Sequence, residues 1–280
     1  MAERPPFPSA SPSDVALEQL VGAVQASANY QAISEAFIRR VGAAELTRRR
    51  NLKEAIKATK NKLHQVCGAY LDKGANYPAW LEILRTAQAQ GDAALRQACA
   101  QVMRYHASTR ERLPHLEQFY ARIFADLPPI RSLLDVACGL NPLAIPWMNL
   151  PAEVEYVAVD VYGDMVAFLA AFMALLPQVR SDARLADALS ETIPRRFDVA
   201  LALKAIPCLE QVDKLAGRHL LDALPADVLI VSFPAHSLGG RGKGMPEHYG
   251  RHFRQLVADK PWRIEQFDFA SEVVFRMIKY

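Results

Sequence analysis

Cysteine is scarce in this chain of 280 residues, with four in all. Cys67, Cys99, Cys138 and Cys208 stand far apart and form no Cys-x-x-Cys pair. That spacing argues against a zinc site and against a disulfide scaffold, and it suits a reducing, cytoplasmic setting. No apolar stretch approaches the roughly 18 residues that a bilayer-spanning helix needs, so no membrane attachment is expected. Residues 1–13 contain Pro and Ser but no basic region followed by an apolar run; they read as a flexible tail, not a signal peptide. A Gly-x-Gly-x-x-Gly turn is missing too, which removes the usual cradle for a pyrophosphate. Nor does either sign of charge dominate: 33 Lys and Arg stand against 30 Asp and Glu. With 51% apolar and 22% charged residues, the composition is that of a globular protein with a sizeable core.

The charge that is present is unevenly placed. Between Arg39 and Lys62, nine basic residues (Arg39, Arg40, Arg48, Arg49, Arg50, Lys53, Lys57, Lys60, Lys62) face only Glu45 and Glu54. A basic front on a near-neutral body suits a polyanionic partner, and equally a solvated helix surface.

From about residue 14 to residue 127, apolar residues recur every three or four positions and β-branched runs are absent. Turn residues mark the breaks (Gly42, residues 74–78, Gly91-Asp92), so helix after helix is expected. One helix shows two faces. Leu52, Ile56, Leu63, Val66 and Tyr70 form an apolar stripe, with Arg49, Lys53, Lys57 and Lys60 as a basic stripe beside it. The helical run ends at Leu127-Pro128-Pro129, and the rhythm changes. Short apolar runs at 132–137, 155–160, 197–203 and 227–233 now alternate with helical stretches such as 163–175 and 213–223. That alternation predicts a parallel sheet with helices on both faces. Residues 262–269 and 272–279 read as a closing antiparallel hairpin. The expected class is α/β, a Rossmann-like sheet of the kind found in class I methyltransferases, behind an all-helical front. The expected boundaries are a tail over 1–13, a helical docking domain over 14–127 and a cofactor-binding catalytic domain over 128–280.

The first predicted strand opens into Ala137-Cys138-Gly139-Leu140-Asn141-Pro142, small residues that let backbone approach a ligand at the carboxyl edge of the sheet. S-adenosylmethionine has no phosphate and does not need the missing glycines. Asp160, at the tip of the second strand and 25 positions after Asp135, is placed to accept from both ribose hydroxyls. Asp187 lies where a carboxylate can accept from the exocyclic amine of adenine. No metal site is expected.

The block Asp135-Val136-Ala137-Cys138-Gly139-Leu140-Asn141-Pro142-Leu143-Ala144-Ile145-Pro146-Trp147-Met148 resembles the signature of 16S ribosomal RNA guanine-N7 methyltransferases that confer aminoglycoside resistance. Three further blocks are similar to the same family. They are His106-Ala107-Ser108-Thr109-Arg110-Glu111-Arg112-Leu113-Pro114-His115-Leu116, the run 203–211, and the run 232–245 with its glycines and Arg241 and Lys243. A fainter likeness spans 57–71. The resemblance implies methylation of guanine 1405 in the decoding site of the assembled 30S subunit. Separately, a monomer is expected. The resemblance also implies a cofactor pocket formed by Tyr70, His106, Ser108, Thr109, Arg110, Arg112, Ala137, Asp160, Asp187, Ala188, Leu203 and Gln211. In that pocket Arg112 would meet the methionyl carboxylate. Two positions depart from the family pattern: His236 stands where lysine is usual, and Val212 where a polar residue is common.

Guanine N7 carries a free lone pair, so no general base is required, and catalysis rests on alignment. Lys204, just past the run 197–203, is the candidate for holding the base edge; its ammonium could instead meet only cofactor or solvent. RNA contacts are expected from Arg49, Lys53, Lys57, Lys60, His64, His236, Arg241 and Lys243. Two other functions fit parts of the chain: a non-catalytic RNA-binding or ribosome-assembly protein, and a small-molecule methyltransferase with a helical lid. The set Arg112, Asp160 and Asp187 disfavours the first, and the basic stripe disfavours the second.

Overall fold

The computed structural model describes residues 12–68, 70, 75–236 and 245–279. Helix α1 (Pro12–Gln25) begins two residues ahead of the expected helical start. Helices α2 (Glu35–Arg48) and α3 (Leu52–Leu63) each begin on a side-chain cap. Ser34 Oγ accepts from the Phe37 N–H at 3.4 Å, and Asn51 Oδ1 accepts from the Glu54 N–H at 2.9 Å, each satisfying a donor that the helix leaves unpaired. Leu20, Val24, Phe37, Ile38, Val41, Ala55 and Leu63 close these three helices over a small core. Helix α3 then widens into a π-helical turn, His64–Gly68, a distortion common at functional sites.

The next four helices behave differently. In α4 (Tyr77–Ala89), α5 (Asp92–Met103), α6 (Ala107–Arg112) and α7 (Leu116–Ile123), Trp80, Leu84, Cys99, Val102, Phe119 and Tyr120 share one apolar cluster with Leu133, Tyr156, Val199 and Ile230 of the sheet. The helical region thus divides by packing. Its first three helices have a small core of their own, to which Val212 adds, whereas α4, α5 and α7 cover one face of the sheet.

The sheet comprises β1 (Ser132–Val136), β2 (Val154–Asp160), β3 (Val179–Leu185), β4 (Phe197–Leu203), β5 (Ala226–Pro234), β6 (Arg263–Asp268) and β7 (Glu272–Ile278). Their order is β3-β2-β1-β4-β5-β7-β6; the first five are parallel, and β7 inserts antiparallel between β5 and β6. Period-two alternation splits the strands between two cores. Leu133, Val199 and Ile230 face the helices α4, α5, α7 and α8 (Gly163–Met173). Leu134, Ala200 and Leu229 face α9 (Ala205–Leu209), α10 (Ala216–Ala223) and α11 (Met245–Leu256). Each fully buried leucine here contributes about 1.5–3 kcal/mol through removal from water.

Strand β3 carries no apolar signature, because Val179 is its one buried residue and Arg180, Asp182 and Arg184 are exposed. It is an edge strand, and charged side chains keep such an edge from pairing with other chains. Among the described residues, no helix is long and apolar enough to cross a membrane. Of residues 1–13, only Pro12 and Ser13 are described, and both lie in α1.

Candidate active site

The carboxyl ends of β1, β2 and β4 and the segment after β3 converge on a cleft of about 1050 Å³ counted to its mouth. This is where an open parallel sheet places ligands. After β1 the chain turns sharply: Ala137 has φ 49° and Gly139 φ 52°, both in the left-handed region. At 139 only glycine fits, since a Cβ there would stand 2.7 Å from the His106 ring. The turn lets the Gly139 N–H donate to Asp160 Oδ2 at 2.9 Å. Asp160 Oδ1 accepts from the N–H groups of Val161 (2.7 Å) and Tyr162 (3.2 Å). Burial raises the pKa of Asp160, and these three backbone donors oppose the rise.

A second cluster lies deeper. Arg112 is fully buried, and its Nε and Nη2 donate to the two oxygens of Glu272 at 2.8 and 2.9 Å. Its Nη1 donates to Asn141 Oδ1 at 2.9 Å. A guanidinium has five N–H groups. The three used here leave its far edge, one N–H on each terminal nitrogen, turned away from Glu272. Asn141 passes the chain of bonds on: its Nδ2 donates to Asp135 Oδ2 at 2.8 Å, and the Tyr156 hydroxyl donates to the same oxygen at 2.6 Å. Asp135 Oδ1 is buried with no hydrogen-bond partner among the described residues. Burial pushes the Asp135 pKa up to about 7, against the pull of Tyr156, Asn141 and the Arg112 charge. Burial would raise Glu272 as well. There the Arg112 and Lys204 cations outweigh it and hold the carboxyl below its ordinary value.

Lys204 is a buried residue with φ 57°, and its backbone N–H is held by Ser232. Its ammonium donates to Glu111 Oε2 at 2.6 Å and lies 3.9 Å from Glu272. Two carboxylates hold it at the cleft wall.

The cleft is lined by Tyr70, His106, Ser108, Arg112, Ala137, Asp160, Asp187, Ala188, Leu203 and Lys204, all expected from the sequence. Tyr70 stacks on His106 with ring centroids 6.2 Å apart. Thr109, Arg110 and Gln211 are not among the lining residues. Thr109 is buried with its hydroxyl donating to the Met103 carbonyl oxygen at 2.7 Å, Arg110 donates to the Arg104 carbonyl oxygen at 2.8 Å, and Gln211 is exposed. Phe37, Asn141, Tyr162, Met165 and Cys208 also line the cleft, and the sequence does not mark them as ligands. Glu272 carries no such mark either. It lies 160 positions from Arg112, and the one available hint is an acid opening an otherwise apolar strand.

On the front helices, Lys53, Lys57 and His64 are exposed. Arg49 pairs with Glu45 at 2.7 Å, and Lys60 Nζ donates to Ser27 Oγ at 2.6 Å, so both already have partners within the chain. His236 is exposed; Arg241 and Lys243 lie outside the described residues. Among the described residues, no group of three or more His, Cys, Asp or Glu could hold a metal ion.

A family model described as "Ribosomal RNA methyltransferase (FmrO)" matches residues 26–276. The chain belongs to this ribosomal RNA methyltransferase family. Within it, the chain is 37% identical over 268 residues to the 16S rRNA (guanine(1405)-N(7))-methyltransferase of Micromonospora rosea, covering 95% of this chain and 97% of that one. It is 38% identical to the protein of the same name from Frankia casuarinae, with 93% of each chain covered. Among solved structures, the 16S rRNA methyltransferase RmtF in complex with S-adenosyl-L-homocysteine superposes with TM-score 0.77 at 29% identity, over 95% of this chain and 99% of that one. The 16S rRNA methylase RmtB gives 0.75 at 25% identity, over 94% and 98%. The cofactor of this rRNA methyltransferase is S-adenosyl-L-methionine, and the cleft residues fit it. A buried acceptor without a donor, Asp135 Oδ1, suits an ammonium group, and the open edge of Arg112 suits a carboxylate.

Proposed function

We propose that this protein methylates N7 of guanine 1405 of 16S rRNA within the 30S subunit. The modification would protect the ribosome from aminoglycosides of the 4,6-disubstituted deoxystreptamine class. The reading is carried by the match to relatives named for that reaction along 95% of the chain.

In this reading Arg112 takes the methionyl carboxylate, Asp135 the ammonium, Asp160 the ribose hydroxyls and Asp187 the adenine amine. Thr109, Arg110 and Gln211 act through the backbone and the cleft rim rather than on the ligand. When bound, the cofactor supplies a methyl group activated by a positively charged sulfur. The chain need not remove a proton from N7, so its task is to hold two partners in line and exclude water. In A-form RNA the major groove is deep and narrow, and N7 is poorly reachable there. The target guanine is therefore extruded into the cleft, as base-modifying enzymes do. Lys204, fixed by Glu111, donates to the guanine edge. Docking falls to Lys53, Lys57 and His64, with further RNA contacts from Arg49, Lys60, His236, Arg241 and Lys243.

The decisive experiment incubates 30S subunits with the protein and labelled S-adenosylmethionine, then maps 7-methylguanine by borohydride–aniline strand cleavage. Cleavage at position 1405 is expected. Its absence, or equal methylation of free 16S rRNA, would overturn the assignment of target or of particle.

A further inference from the structure

The adenine end of the cleft is completed from the front of the chain. Residues 32–34, just ahead of α2, lie across the tip of β2. The Ser34 N–H donates to the Val161 carbonyl oxygen at 2.8 Å, the Gly163 N–H donates to the Ala32 carbonyl oxygen at 2.6 Å, and Ile33 bridges Tyr162. This clasp sets α2 over the third acid. From the interior of α2, Arg40 Nε donates to Asp187 Oδ2 at 2.5 Å and Nη2 donates to Asp187 Oδ1 at 3.1 Å. The Asp187 side chain is 2% exposed and that of Arg40 21%. One turn back on the same helix, Phe37 lines the cleft, and the Arg40 guanidinium lies 5.2 Å from its ring centroid.

We propose that Arg40 is a positioning residue that makes the cofactor site selective for adenine. The inference rests on the reading of Asp187 as acceptor for the adenine amine. A carboxylate plane turns easily about its terminal torsion, which is broad and roughly two-fold. A bidentate guanidinium fixes that plane. Oδ2 already receives Arg40 Nε and the Ser190 hydroxyl. Oδ1 receives only long bonds, from Arg40 Nη2 at 3.1 Å and the Leu189 N–H at 3.3 Å. Oδ1 is thus the acceptor that can take a further donor. An ionised carboxylate accepts and cannot donate. Held by Arg40, it welcomes the 6-amino group of adenine and repels the 6-oxo group of hypoxanthine. Without Arg40 the carboxylate can rotate, and Oδ1 is no longer aimed at the 6-amino group.

The test is calorimetric titration of S-adenosyl-L-homocysteine and S-inosyl-L-homocysteine into the wild type, R40A, R40K and D187N. The wild type is expected to favour the adenosyl ligand about 10- to 100-fold, the range of one hydrogen bond to a charged group. In R40A the adenosyl ligand weakens about tenfold while the inosyl ligand changes little, so the ratio collapses. R40K, which keeps the charge but loses the fork, falls between the two. Equal weakening of both ligands in R40A marks Arg40 as merely structural and overturns the proposal, as does an unchanged ratio. Should R40A fail to fold, an unchanged ratio in R40K overturns it by itself. D187N separates the two layers. If D187N keeps the wild-type ratio, the reading of Asp187 fails; if only the Arg40 variants keep it, Asp187 stands and Arg40 falls.

Discussion

At the deep end of the cleft Arg112 and Glu272 are sealed from water and satisfy each other through two bonds, whereas on α3 Lys53 and Lys57 stand in solvent. Both regions are charged, yet the physics differs. A buried pair has already lost its hydration, so its partners are held in one geometry and neither can be removed alone. An exposed lysine contributes little to the fold and stays free to neutralise a phosphate. Charges at the cleft set geometry; those on the front helices set affinity for a polyanion. Four measurements can break or sharpen this contrast.

The largest effect is expected from E272A, which strands the Arg112 charge in the core. Unfolding stability should fall by about 3–5 kcal/mol in urea denaturation. A drop of less than about 1 kcal/mol would show that water or another carboxylate substitutes for the missing Glu272. Next comes K204A. Turnover on 30S subunits should drop by about 10²-fold, the cost typical of removing one stabilising donor, with calorimetric cofactor affinity intact. Weakened affinity would move Lys204 from the guanine to the cofactor.

Asp135 makes the contrast visible through pH. Its pKa, raised to about 7 by burial, leaves the folded protein with one more proton than the unfolded chain between the ordinary carboxylate range and pH 7. Stability from this group therefore falls as pH rises through that window and levels off above it. A cationic ligand group at Oδ1 favours the ionised acid, so cofactor affinity should rise from about pH 6 to about pH 8, by less than about tenfold per unit. D135N should flatten the profile. The smallest effect belongs to the surface. In a K53A/K57A variant the melting temperature should hold, while the slope of log affinity for 30S subunits against log salt becomes shallower, by about 0.7–0.9 for each phosphate no longer neutralised. An unchanged slope would move the docking face elsewhere.

Much of this arrangement is legible in the sequence, for identifiable reasons. Strands buried on both sides, such as Phe197–Leu203, carry apolar runs broken at most by a single polar residue, here Asp198, and the sheet prediction rests on them. Edge strand β3 cannot be delimited in that way, because its solvent-facing Arg180, Asp182 and Arg184 erase the signal. Helix α11 is hidden for a similar reason: its segment is rich in His and Arg, and Phe253, Leu256 and the adjoining Val257 reach the core with Tyr249 packed beside them. The acids at the strand tips and most cleft residues lie in compact blocks that a reader can recognise. Their partners do not. Arg40 lies 147 positions from Asp187, and Glu272 lies 160 from Arg112, so nothing local announces either pair. The 14–127 boundary follows the change of periodicity at Pro128-Pro129, while the cores are divided between α3 and α4. Periodicity reports local structure and is silent about which helix packs on which sheet.

The shared core of α4, α5, α7 and the sheet also governs how far this chain is modular. A catalytic fragment cut at Ser132 would leave Leu133, Tyr156, Val199 and Ile230 without the Trp80, Leu84 and Phe119 that cover them, and it would lose Arg112. Such a fragment should aggregate rather than act as a free-standing methylase. The first three helices, which close on one another, are the portion that could be exchanged for a different targeting module, provided the replacement restores Arg40 and the clasp over β2. Retargeting to another RNA is thus a problem of grafting at residues 64–76, not at the diproline.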